Sequence, residues 1–210
     1  MPTHGQAPGI DDLTVEGIAR VFTAALEAAF PGRPVVVAGE SIGGLVALSM
    51  AGGLSTAVSC VAFDPPFTTA KLWPVYANLE FRLTDPAFSV NEDFLLEIFG
   101  ARIGRGVEDK SYFHLLDRTT IPIHVVTGDI PLMPPRELPR PPALIDENDK
   151  AVLRTKPNVT LHIVPGIGHL LLTDAEERCL TLLEQGAAAA LSRQGADADS
   201  HAVGISPVQD

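Results

Sequence analysis

Basic residues are scarce in this chain. Fifteen Lys and Arg stand against 26 Asp and Glu, a formal net charge of −11. Such a surface is repelled by nucleic acid phosphates and by anionic membranes, so neither is an expected partner. Cysteine is scarcer still. Cys60 and Cys179 each sit among apolar residues and form no CxxC pair, so buried free thiols are expected, with a lean towards a reducing, cytoplasmic setting. No apolar run approaches the roughly 20 residues of a membrane span. The start, MPTHGQAPGIDD, has neither the basic nor the apolar region of a secretory leader. The histidines show no HxH or HExxH spacing, so no metal is expected, nor any other cofactor. Internal repeats are absent.

What is present is a core former. Hydrophobic residues make up 46% of 210 positions, enough for one domain with a sizeable interior. Residues 14–30 carry Ile18, Val21, Phe22, Ala25, Leu26, Ala29 and Phe30 at helical spacing, a stripe expected to be buried. Thr14 is placed as the N-cap, Leu13 and Ile18 as a hydrophobic staple, and Pro31-Gly32 as the stop. Four short β-branched runs read as strands: 34–38, 58–63, 121–126 and 159–164. Continuous apolar runs of this kind suit strands buried on both faces of a parallel sheet. Residues 44–51 suit a buried helix, and a last helix is expected from Thr173, where Thr173-Asp174-Ala175-Glu176 has the form of a capping box. Alternating strands and helices predict an α/β fold, a mainly parallel sheet flanked by helices, over residues 1–194. Residues 65–118, rich in aromatics, are expected as an inserted helical cap, 131–142 with six prolines as a stiff loop, and 195–210 as a disordered tail.

One turn carries chemistry. The first strand ends at Gly39-Glu40-Ser41-Ile42-Gly43, and a helix follows. A G-x-S-x-G turn between strand and helix forces the serine into a strained conformation and exposes its Oγ. The glycines on either side leave room for close backbone approach. The Ile42 N–H, at the helix N-terminus, is a candidate oxyanion donor. A serine needs a base. His169 follows the last strand directly, in Gly166-Ile167-Gly168-His169. His124 and His162 lie within strands, His114 in the cap, and His4 and His201 near the ends. A third group must orient the imidazole, and Asp129, closing the third strand, is the first choice.

The order Ser41, Asp129, His169 and the motifs around them resemble the α/β-hydrolase superfamily, in its branch of esterases and lipases with a helical cap. Pro2-Thr3-His4-Gly5 adds to the likeness, which covers roughly residues 2–192. The resemblance implies a serine hydrolase that cleaves carboxylic esters of small molecules through an acyl-enzyme. Two departures matter. The family's acid usually lies two residues further on, where this chain has Pro131. The resemblance therefore brings in Asp64, after the second strand, as the alternative acid, with Asp146 and Glu147 behind it. The strands and oxyanion loop that precede the nucleophile strand in the family are also missing, so residues 34–38 would form a sheet edge, and a homo-oligomer covering that edge is expected. The alternatives are a hydrolase-fold binding protein with weakened catalysis, or a fragment of a longer esterase.

Overall fold

A computed structural model describes residues 6–73, 92–102, 106–133 and 141–202. The Val-rich run forms β1 (Val35–Glu40). It pairs in parallel with β2 (Ala57–Phe63), which pairs in parallel with β5 (Ile123–Gly128), and that strand with β6 (Val159–Val164). The order is β1-β2-β5-β6. All four carboxyl ends therefore lie along one side, where parallel sheets build their sites. A short antiparallel ribbon, β3 (Ala101–Arg102) with β4 (Gly106–Val107), stands apart.

Helices cover both faces. On one side α1 (Val15–Ala29) packs on α2 (Ile42–Gly53), and α2 packs on β1 and β2. Thr14 caps α1 as its side chain accepts from the Gly17 N–H at 3.0 Å. Leu13 and Ile18 are both buried in the core. Two further helices, α3 (Glu92–Phe99) and α4 (Glu147–Leu153), add Ile98 and Leu153 to the same interior. On the other face, after the short α5 (Leu171–Asp174), α6 (Glu176–Ala202) lies across β1 and β2. There Cys179 and Leu182 meet Val61, Phe63 and Val126. Both cysteines are buried, and burial pushes the thiols up, Cys60 to about 12 and Cys179 to about 11.

Four expectations are revised. The stripe of α1 is buried only in its first half. Val21, Phe22 and Phe30 are exposed, and Phe22 and Leu26 help line a groove of about 310 Å³ against Val36 and Ala38 of β1. Among the described residues no strand lies beyond β1, so nothing covers that half of the helix. The described parts of 65–118 feed the main core, since Phe67, Phe94, Ile98, Tyr112 and Leu115 belong to it; residues 74–91 lie outside the description. Thr173 sits inside α5 rather than capping the last helix, which starts at Glu176. That helix runs through Ala202, because 195–202 hold three alanines and no proline; 203–210 lie outside the description, as do 134–140 of the proline loop and residues 1–5. Among the described residues no helix is long and apolar enough to cross a membrane.

Candidate active site

Backbone strain marks the site before any side chain does. Among the described residues two non-glycine residues have positive φ: Ser41 at 58° and Asp64 at 43°. Each such conformation costs on the order of 1–3 kcal/mol and persists only where the surroundings impose it. Ser41 ends β1 and Asp64 ends β2, and these strands are hydrogen-bonded neighbours. The last rungs of the ladder fix the pair. The Ser41 N–H donates to the Phe63 carbonyl at 2.8 Å, and the Asp64 N–H donates to Val126 at 2.7 Å.

The tight turn at Ser41 rests on Gly39. A Cβ there would lie 2.1 Å from the Gly43 carbonyl oxygen. Gly43 is different, because a Cβ on it would meet nothing within 4 Å. Only the first glycine of the motif is sterically required for this turn, which corrects the expectation that both are. Ile42 opens α2, so its N–H is one of the first-turn donors without an intrahelical partner.

Asp64 is fully buried and its carboxylate is saturated with donors. Oδ1 accepts from the Thr127 hydroxyl at 2.7 Å and the Ile145 N–H at 3.3 Å. Oδ2 accepts from the Leu144 N–H at 2.8 Å and lies 2.7 Å from Nδ1 of His169. A buried carboxylate is tolerable only with such partners. The contact assigns the proton to Nδ1, leaving Nε2 as the free, basic nitrogen of the neutral ring.

The histidine is held by its backbone as well. Its N–H donates to the Pro141 carbonyl at 2.9 Å, and its own carbonyl accepts from Leu171 at 2.9 Å. Close approach to Pro141 requires Gly168, where a Cβ would lie 2.0 Å from that same carbonyl oxygen.

Asp129 does not occupy the acid's place. It is exposed, and its Oδ1 accepts from the Gly166 N–H at 2.7 Å, bracing the loop that leads to His169. The carboxylate that meets His169 is thus that of Asp64, not that of the first choice, Asp129. The physical reason lies in the two strand ends: a positive φ turns Asp64 and its carboxylate is drawn in by Thr127, Leu144 and Ile145, whereas Asp129, past the end of β5, is exposed and bonds Gly166. Asp146 caps α4, and Glu147 pairs with Lys150, so neither reaches His169. His124 and His162 contact each other across β5 and β6, Nδ1 to Nε2 at 3.1 Å. His114 meets Glu16 at the surface. The sequence carried one cue towards Asp64. Asp64-Pro65-Pro66 ends a strand abruptly, and proline disfavours a helical conformation in the residue before it.

Residues 1–181 match the model of the alpha/beta hydrolase family, and the chain belongs to that family. Solved structures agree on the fold. A thermophilic esterase from Thermogutta terrifontis is 16% identical with a TM-score of 0.59, over 90% of this chain and 78% of that one. A proline iminopeptidase of Mycobacterium smegmatis is also 16% identical, with a TM-score of 0.60 and the same coverages. The N-acyl homoserine lactonase AidH, complexed with N-hexanoyl homoserine, is 18% identical with a TM-score of 0.56, over 88% and 75%. No curated protein matches the chain.

Proposed function

We propose that the protein is a serine hydrolase acting on carboxylic esters, with Ser41 as nucleophile, His169 as base and Asp64 as its orienting acid. The observation that carries this reading is the 2.7 Å contact between His169 and a buried, fully bonded Asp64, on the strand end beside a strained Ser41. Structural maintenance alone gives no reason to strain two adjacent strand ends and bury a charge between them.

The reaction follows from the groups. Nε2 of His169 takes the Ser41 hydroxyl proton as Oγ forms a bond to the acyl carbon. The carbonyl π electrons move to oxygen, where the Ile42 N–H stabilises them. Asp64 balances the imidazolium charge without itself taking the proton. Collapse breaks the bond to the alkoxy oxygen, which leaves as alcohol with the proton from His169. Water then attacks the acyl-enzyme by the same route in reverse. The carboxylic acid is released and the serine regains its proton.

The esterase among the similar structures supports an ester; the lactonase extends the class to cyclic esters. The test is a fluorophosphonate probe together with p-nitrophenyl esters of increasing chain length. Labelling and turnover in the wild type, lost in Ser41→Ala and His169→Ala, support the reading. Equal labelling of wild type and Ser41→Ala overturns it.

A further inference from the structure

Glu40 is the middle residue of the motif before the serine, and the last residue of β1. Its Oε1 accepts a hydrogen bond at 2.9 Å from the N–H of Leu172, 132 residues away in sequence. Leu172 is the second residue of α5, whose first N–H groups have no acceptor within the helix. The Glu40 carboxylate supplies one. The helix also starts two residues after His169 and is joined to it, since Leu171 donates to the His169 carbonyl. The Glu40 side chain is half-buried and reaches α5 through this bond. Its negative charge adds to burial in raising the Cys179 thiol.

The turn bearing His169 is therefore held from three directions. Asp64 holds the ring at Nδ1, Pro141 holds the backbone N–H, and Glu40 holds the following helix. Asp64 reaches it from β2 and Pro141 from the proline loop. The Glu40 bond connects it to β1, the strand that delivers the nucleophile. Displacement of a reacting group by about 1 Å costs on the order of 10²-fold in rate, so a tether between the two carriers bears on catalysis. We infer that Glu40 is a positioning residue, fixing His169 relative to Ser41 by clamping α5 to the end of the nucleophile strand. The inference rests on the hydrolase reading for its kinetic consequence, but its geometric content can be measured without turnover.

What the clamp needs is an acceptor oxygen with the reach of a glutamate, not the charge. Glu40→Gln keeps oxygen and reach. Glu40→Asp keeps the charge but is one methylene short. Glu40→Ala loses both. The expected pattern is kcat lowered about 10-fold or more in Glu40→Ala and Glu40→Asp, with KM within about threefold and Glu40→Gln within about threefold of wild type. NMR of the three variants and the wild type supplies the second readout. Faster exchange of the Leu172 amide and shifted His169 ring signals are expected in the alanine and aspartate variants only. If Glu40→Ala fails to fold, the contrast between Glu40→Asp and Glu40→Gln still decides. A wild type inert to every ester, with the NMR pattern as expected, sinks the hydrolase reading and leaves the clamp standing. Wild-type turnover with unchanged kcat in Glu40→Asp overturns the clamp. Loss in Glu40→Gln with retention in Glu40→Asp overturns it too, because charge would then matter rather than reach.

Discussion

Replacing Asp64 by asparagine exchanges one carboxylate oxygen for an amide that donates. The amide nitrogen can face either of two pairs of donors. Turned towards Oδ2's place it meets Leu144 N–H and His169 Nδ1, and the ring must then carry its proton on Nε2, which removes the base. Turned towards Oδ1's place it meets Thr127 and Ile145. The Thr127 hydroxyl can rotate to accept, so only the longer Ile145 bond is lost, at about 1–3 kcal/mol for a buried donor left unpaired. The second orientation is favoured, and it keeps the useful tautomer. What disappears is the charge that stabilises the imidazolium. Charge-assisted hydrogen bonds exceed neutral ones by about 1–2 kcal/mol, which sets a floor of about 10-fold on the loss in kcat. Tautomer reversal sets the ceiling, about 10⁴-fold. The matching variant, Asp129→Asn, keeps an oxygen for the exposed Gly166 N–H, so kcat within about threefold and stability within about 1 kcal/mol are expected. The assay is p-nitrophenyl ester turnover, with denaturant melts to confirm that both variants are folded. Asp64→Asn within threefold of wild type, or a larger loss in Asp129→Asn, would refute the assignment of the acid.

Gly39→Ala is expected to abolish activity and soluble expression, because its Cβ cannot be accommodated against the Gly43 carbonyl. Gly43→Ala is expected to fold with stability unchanged or raised by up to about 1 kcal/mol, the helix gain of alanine over glycine, in urea titrations. Burial lowers the pKa of both His124 and His162, and His162 is further disfavoured as a cation by His124 and Arg178. The unfolded chain then binds more protons than the folded one below the ordinary value of about 6.5, so stability should fall from there as pH drops to the lowered folded values. Thermal melts at stepped pH should show this fall, and it should be smaller in the double variant His124→Gln, His162→Gln. Along β1 the Val35 and Ser41 amides engage β2, and strand alternation directs the N–H and C=O groups of Val36, Ala38 and Glu40 to the edge that no described strand covers. Light scattering at micromolar concentration should detect association, weakened by Ala38→Lys; a monomeric wild type counts against it.

Much of the fold was legible in the chain because its signals are local. The β-branched runs at Val35, Val159 and Ala57 announce strands within a residue or two. Thr14 announces the start of α1, and Ser41 and His169 carry their glycines with them. The acid was not legible in that way. Asp64 and Asp129 both close a β strand after an apolar run, and β5 rather than β2 adjoins the strand that leads to His169; what brings Asp64 to the imidazole is its positive φ and its bonds to Thr127, Leu144 and Ile145, none of them local in the sequence. Gly43 shows the same limit from the other side, since a motif letter cannot tell steric need from mere presence. The exposed half of α1 was missed because periodicity reports that a face is apolar, not that something covers it. The strain at Ser41 was announced by its G-x-S-x-G turn, whereas the positive φ at Asp64 is a product of tertiary constraint.

The wiring of the site divides it into a part held by the sheet and a part held by loop contacts. Ser41 bonds Phe63, the residue before Asp64, across the parallel pair β1 and β2, with α2 between them in the chain. His169 reaches Asp64 across 105 residues of chain, on a loop held by the proline segment and by α5. A loop tied down by a few hydrogen bonds and one buried side chain, Leu171, can open locally while the sheet stays closed. Opening of the segment from Gly166 through α5 would take the base away and leave serine, acid and sheet as they are. Such a molecule would still look native in nearly all of its secondary structure, and redocking of one turn would restore the site. If Ser41, Asp64 and His169 act as proposed, function in this fold fades before the fold itself does whenever that one loop undocks.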